Sequence, residues 1–123
     1  QREDDFAMLF EMDGDRSQAV YVKPTGTFDD STIVTFFSPA HVVAKGMFKK
    51  GLSRDAAVDL LARNEDLMFA RFGLWTSDNE DMVVCSVDAL LESLDPEEFS
   101  QYAHRVALAA DEYEAAQGGG DKF

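Results

Sequence analysis

Large apolar residues alternate with other residues along the first stretch of this chain. They occupy Phe6, Met8, Phe10 and Met12. A period of two places such residues on one face of a β-strand, because successive side chains of a strand point to opposite faces. A longer alternation of the same kind covers Leu67–Trp75. The chain is therefore expected to build a β-sheet, which excludes an all-helical fold.

Three further stretches have the composition of strands. Ala19–Lys23, Ser31–Ser38 and Met82–Val87 are rich in the β-branched and aromatic residues that strands favour. Short polar loops join the first three strands, and the turn Ser77–Asp81 joins the last two as a hairpin. Short connections of this kind indicate antiparallel pairing.

The clearest local signal is a helix start at Asp95. This residue is a good N-cap, Pro96 suits the first helical position, and Glu98 completes a capping box. Apolar residues follow at helical spacing up to about Ala116, and three glycines come directly after Gln117. The pattern predicts a helix over residues 96–116.

A second helix is predicted over residues 53–64, with Ser53 as its N-cap. The stretch before it, Pro39–Gly51, leaves two alternatives open, because His41–Val43 could extend a strand or open a short helix. The one basic cluster of the sequence begins in this stretch and extends into the predicted helix. It consists of Lys45, Lys49, Lys50 and Arg54.

These elements predict an α+β fold of the order β-β-β-α-β-β-α, with an antiparallel sheet of about five strands and helices packed on it. The 123 residues fit a single domain, 1–123, with an ordered core over about 6–116 and a loose tail over 117–123. Hydrophobic residues make up 46% of the chain, which excludes a disordered protein.

The net charge of −13 is the most unusual bulk property. It repels phosphate groups, so we expect neither nucleic acid nor a membrane as a partner. No segment approaches the roughly 20 apolar residues that a membrane span needs. Two interpretations of the charge stay open: solubility alone, or a surface that suits a basic partner or keeps an apolar one soluble.

Residues for chemistry are scarce. His41, His104 and Cys85 lie in a predicted loop, helix and strand, with no shared spacing that would form a catalytic or metal-binding group. The sequence therefore predicts no enzyme, no catalytic residue, no metal and no cofactor. One cysteine permits no internal disulfide, and a reducing cytoplasm is the expected location.

The second half carries a resemblance to a known family. The strand motif Asn64–Phe72, the hairpin over 73–87, the segment Leu94–Phe99 and the helix end Ala109–Tyr113 resemble the YbjN-like family and the related class I type III secretion chaperones. The resemblance covers residues 50–116 by pattern and 6–50 by topology. It implies a non-enzymatic, often dimeric module that holds extended peptide segments. It also implies a helix before the first strand, and Gln1–Asp5 is too short to form that helix.

The predicted function is a non-catalytic, chaperone-like module that binds a protein or peptide client, in a homodimer. Both sheet faces are expected to be apolar, while two helices can cover only one of them. Two alternatives stay open for the other apolar side chains: they pack into a larger core, or they line an open groove. Phe36, Phe69 and Trp75 are the candidate peptide-binding residues, with Phe69 and Trp75 on one strand face. The alternatives are a structural or regulatory dimerisation domain and a small-ligand-binding domain.

Overall fold

A computed structural model of the protein describes residues 6–117. Within that range the chain forms a six-stranded antiparallel sheet, two α-helices and two short 3₁₀ helices at Asp13–Asp15 and Leu91–Ser93. The elements are β1 (Phe6–Glu11), β2 (Ser17–Phe28), β3 (Ser31–Gly46), β4 (Lys49–Lys50), α1 (Arg54–Asn64), β5 (Arg71–Thr76), β6 (Glu80–Leu90) and α2 (Pro96–Ala116). Gln1–Asp5 and, from residue 118 onward, the predicted tail lie outside the described residues.

The strands lie in the order β1-β2-β3-β6-β5, and every neighbouring pair is antiparallel. The predicted α+β fold and its element order are thereby confirmed. The short strand β4 was not predicted. It pairs with the end of β3 through Lys45 and Lys50, so the three lysines of the basic cluster lie in a hairpin, whereas Arg54 begins α1.

The central strand β3 is longer than predicted, because the strand alternative for His41–Val43 is the correct one. The register against β6 shifts between Pro39 and His41, which marks a β-bulge. A proline has no N–H to donate to the ladder, so a central strand accommodates it at such a bulge.

The predicted strand Leu67–Trp75 is wrong in its first half, since β5 begins only at Arg71. Phe69 has a φ of 68°, and the Ala70 N–H donates to the Met68 carbonyl at 2.8 Å. This is a three-residue turn of the more strained γ type. Phe69 therefore does not share a strand face with Trp75.

Both helices begin as predicted. Asp95 accepts a hydrogen bond from the Glu98 N–H at 2.7 Å, and Glu98 accepts one from the Asp95 N–H at 3.1 Å, which completes the capping box of α2. Ser53 accepts from the Ala56 N–H at the start of α1. Neither helix within residues 6–117 has the length and apolar character needed to span a membrane.

The core lies between α2 and one face of the sheet. Phe36 is fully buried there, with its ring 4.9 Å from that of Phe99 and 5.8 Å from that of Tyr102. A paired contact between Arg16 and Asp111, with two hydrogen bonds of 3.0 Å, ties the loop between β1 and β2 to α2. Helix α1 contacts β5 on the same side of the sheet.

Candidate functional site

A row of aromatic side chains lies on the sheet face that carries no helix. Tyr21 and Phe37 stack with ring centroids 5.2 Å apart, and the Phe37 and Trp75 centroids are 4.7 Å apart. The Lys23 ammonium lies 5.1 Å from the Phe37 centroid and 5.4 Å from that of Trp75, within the range of cation–π attraction. Trp75, partly exposed, ends this row on strand β5.

Strand β5 forms an edge of the sheet. In the part of the chain that the structure describes, it pairs only with β6. The backbone N–H of Phe72 points away from β6 and donates to Asn64 Oδ1 at 2.7 Å, and its carbonyl accepts from Asn64 Nδ2 at 3.2 Å. Because every second residue of a strand points the same way, Leu74 and Thr76 turn their N–H and C=O groups to the same outer side.

The Asn64 side chain occupies the place of a neighbouring strand at Phe72. Its amide supplies one acceptor and one donor, which is the pair of groups that an opposing residue offers in an antiparallel ladder. One end of the edge is thereby closed. The part left open to another chain is the short stretch from Leu74 to Thr76.

An apolar depression of about 210 Å³ lies beside this open stretch, between α1 and β5. Leu61 and Leu74, both exposed, lie on its two sides. The other apolar residues of its lining are Leu52, Ala57, Leu60 and Phe72. Open main-chain groups and an apolar depression next to them are the two features that recognition of an extended peptide uses.

Searches of protein-family models and of curated proteins both find no match to this chain. The resemblance drawn from residues 50–116 therefore stays a prediction.

The structure does not bring the three predicted site residues together. Trp75 lies on the edge strand, on the face opposite the depression. Phe36 is buried in the core and is not accessible to a partner. Phe69 is exposed in its turn beyond β5, where its ring centroid lies 5.5 Å from that of Tyr102 and 5.6 Å from the Arg105 guanidinium.

Sequence reasoning missed Asn64, Leu61 and Leu74 as residues of the site. Asn64 stands eight positions before Phe72, at the end of a helix, and no local pattern shows that its amide folds back onto the strand. The sequence does contain a signal for Leu61. Val58, Leu60 and Leu61 form an apolar stripe that is wider than a helix needs to pack against a sheet, so part of it stays available for another contact.

The three residues considered for chemistry lie in different surroundings. The ring of His41 lies 6.1 Å from that of Tyr113, and the ring of His104 lies 6.2 Å from that of Phe10. Burial raises the pKa of the Cys85 thiol to about 12, so it stays protonated and a poor nucleophile at neutral pH. Within residues 6–117 no three His, Cys, Asp or Glu side chains are grouped so that they could hold a metal ion.

Proposed function

We propose that this domain is a non-catalytic binding module that takes up an extended segment of another polypeptide at the open edge of β5. The segment adds a strand to the sheet and pairs with the main chain of Leu74 and Thr76. The observation that carries this proposal is the open stretch of edge beside an apolar depression on the same strand.

Alternating side chains of such a segment would meet two different surfaces. Those on the helix side would enter the depression between Leu61 and Leu74. Those on the other side would meet Trp75 and the aromatic row beyond it. Main-chain pairing therefore supplies affinity for any extended chain, and the two surfaces select apolar side chains at every second position.

The open edge is short, because Asn64 already binds the main chain of Phe72. Leu74 and Thr76 together offer two donors and two acceptors. Each net hydrogen bond contributes about 0.5–1.5 kcal/mol, and each buried CH₂ group about 0.8 kcal/mol. The side chain in the depression is therefore expected to decide which segments bind, and the net charge of −13 favours segments that are not acidic.

Peptide selection tests this proposal without knowledge of the natural partner. Random peptides displayed on phage would be selected on the domain, and the affinity of the selected peptides measured by the fluorescence of Trp75, the one tryptophan of the chain. Leu61→Glu is expected to weaken binding at least about tenfold, because a carboxylate in the depression would lose its hydration. Val58→Glu is the matched control, on the same helix but outside the depression.

The two variants separate the outcomes. Loss of binding with Leu61→Glu and retention with Val58→Glu supports the β5 edge as the site. Equal binding by wild type and Leu61→Glu, or a selection that yields no binding peptide, contradicts it. A second copy of the chain at the same edge is a further possible occupant, and light scattering of wild type and Leu61→Glu identifies it by a mass that only the wild type shows.

A further inference from the structure

The hairpin between β3 and β4 holds two large apolar side chains in solvent. Met47 and Phe48 form its two-residue tip and are 89% and 91% exposed. Lys49 and Lys50, also exposed, follow directly. In a chain of net charge −13 this makes a basic and apolar projection.

Asp81 fixes the base of this hairpin on both sides. The Lys45 ammonium lies 3.0 Å from Asp81 Oδ1, and the Leu52 N–H donates to Asp81 Oδ2 at 2.9 Å. The Lys45 N–H also donates to the Asn79 carbonyl at 2.9 Å. The base is thus tied to β6 and its preceding turn. Exposure of apolar side chains on an anchored projection is unfavourable in water, and it indicates a contact surface.

A second surface has the opposite character. A depression of about 380 Å³ lies at the start of α2, with the rings of Phe69 and Tyr102 in its lining. Phe69 is exposed there although its backbone has the left-handed φ of 68°, and strain of this kind is often retained at functional sites. The depression therefore offers aromatic surface to a partner.

The charged groups of this depression are mostly carboxylates. Asp95, Glu97 and Glu98 contribute three acidic groups, and Arg105, which lies over the Phe69 ring, contributes the single basic one. An aromatic lining with an acidic rim is complementary to an apolar tip followed by two lysines. The complementarity is electrostatic as well as apolar, and it favours correct pairing.

We propose that the hairpin tip of one copy of this protein docks into the α2 depression of a second copy. Phe48 packs against Phe69 and Tyr102, and Lys49 and Lys50 face the acidic rim that includes Glu97. The contact uses none of the residues assigned to the β5 edge, so it is independent of client binding.

One chain cannot make this contact with itself. Tyr102 packs near Phe36, in the first half of β3, whereas the hairpin follows the end of the same strand at Gly46. At about 3.3 Å per strand residue the two surfaces lie roughly 30 Å apart. Two copies placed side by side in opposite directions make the contact twice and form a closed dimer, which a symmetric interface favours.

Charge exchange tests the contact most sharply. Analytical ultracentrifugation at physiological salt would compare wild type, Lys49→Glu combined with Lys50→Glu, and Glu97→Lys. Each variant alone is expected to associate at least about tenfold more weakly than wild type. An equimolar mixture of the two is expected to regain association, because opposite charges then face one another again. Glu97 is chosen because Asp95 and Glu98 cap α2.

Matched controls exclude general effects of charge and of apolar exposure. Glu112→Lys makes the same charge change on α2 but outside the depression, and it is expected to associate like wild type. Phe48→Ser is expected to abolish association, whereas Phe28→Ser, at another exposed phenylalanine, is not. Thermal unfolding would check that all variants fold.

Three results would overturn the proposal. They are a wild-type chain that stays monomeric up to the highest soluble concentration, unchanged association of either charge variant, and a mixture that fails to regain it. None of these results bears on the β5 edge, because the selected peptides would still bind these variants if that proposal is correct.

Discussion

The two faces of the sheet carry similar side chains and have different neighbours. Phe36 and Phe37 are adjacent in the chain, yet Phe36 is fully buried beneath α2 and Phe37 stacks with Tyr21 and Trp75 on the face without a helix. The two rings have different neighbours because successive side chains of strand β3 point to opposite faces of the sheet. Whether a phenylalanine of a strand lies in the core or at the surface therefore depends on which face its position points to. The composition of the strand does not give this information.

The face without a helix is partly shielded by its own side chains. Val84 alternates with the core residues Val83 and Cys85 and so points to this face, yet it is only 1% exposed. Side chains on the sheet itself, and not a helix, must exclude water from it. On the edge strand β5, Leu74 and Trp75 remain exposed.

Phe36→Ala is expected to have the largest effect on stability. Removal of a fully buried ring leaves a cavity beneath α2 and should lower the free energy of unfolding by about 3–5 kcal/mol. Urea unfolding followed by circular dichroism measures this change. Phe37→Ala is the matched comparison on the other face, and an equal loss for the two variants would show that the faces do not differ as described.

Much of the fold could be predicted from the sequence because its signals are local. The capping residues at Asp95 fixed the start of α2, and the alternation at Phe6–Met12 fixed the character of β1. The turn at Phe69 could not be predicted, since the alternation of Leu67–Trp75 continues through it and it contains neither glycine nor proline.

The candidate site was less predictable than the fold. β5 is an edge because of the order of strands in the sheet, and the contact of Asn64 with Phe72 sets how much of that edge stays open. Both are tertiary features. Trp75 stays a prediction that depends on a local signal, a large aromatic residue at a strand position, and the structure places it exposed on the edge strand. Phe36 was predicted to be accessible but is buried, because α2 covers the face of β3 to which it points. The sequence pattern does not show which face a helix covers.

Asp95→Ala tests the helix that covers the buried face. Loss of the side chain that accepts from the Glu98 N–H is expected to lower the free energy of unfolding by about 0.5–2 kcal/mol. Thermal unfolding would show the decrease. Asp95→Asn is the control, because asparagine caps helices nearly as well, and an equal decrease for both variants would argue against a capping role.

Trp75→Ala is expected to have the smallest effect on stability. The side chain is partly exposed, and its contact with Phe37 is of a kind worth about 0.5–1.5 kcal/mol. The affinity for peptides selected on the wild type should fall, as measured by calorimetry. A variant that binds these peptides with unchanged affinity would limit the client site to the helix side of β5.

Amide hydrogen exchange at β5, resolved by NMR, tests the central claim most directly. In the free protein the Leu74 N–H is expected to exchange rapidly, while that of Gly73, which pairs with Val84 of β6, exchanges slowly. A selected peptide at saturation should slow exchange at Leu74 at least about tenfold and leave Gly73 slow. A peptide that binds while exchange at Leu74 stays rapid would contradict strand addition at this edge.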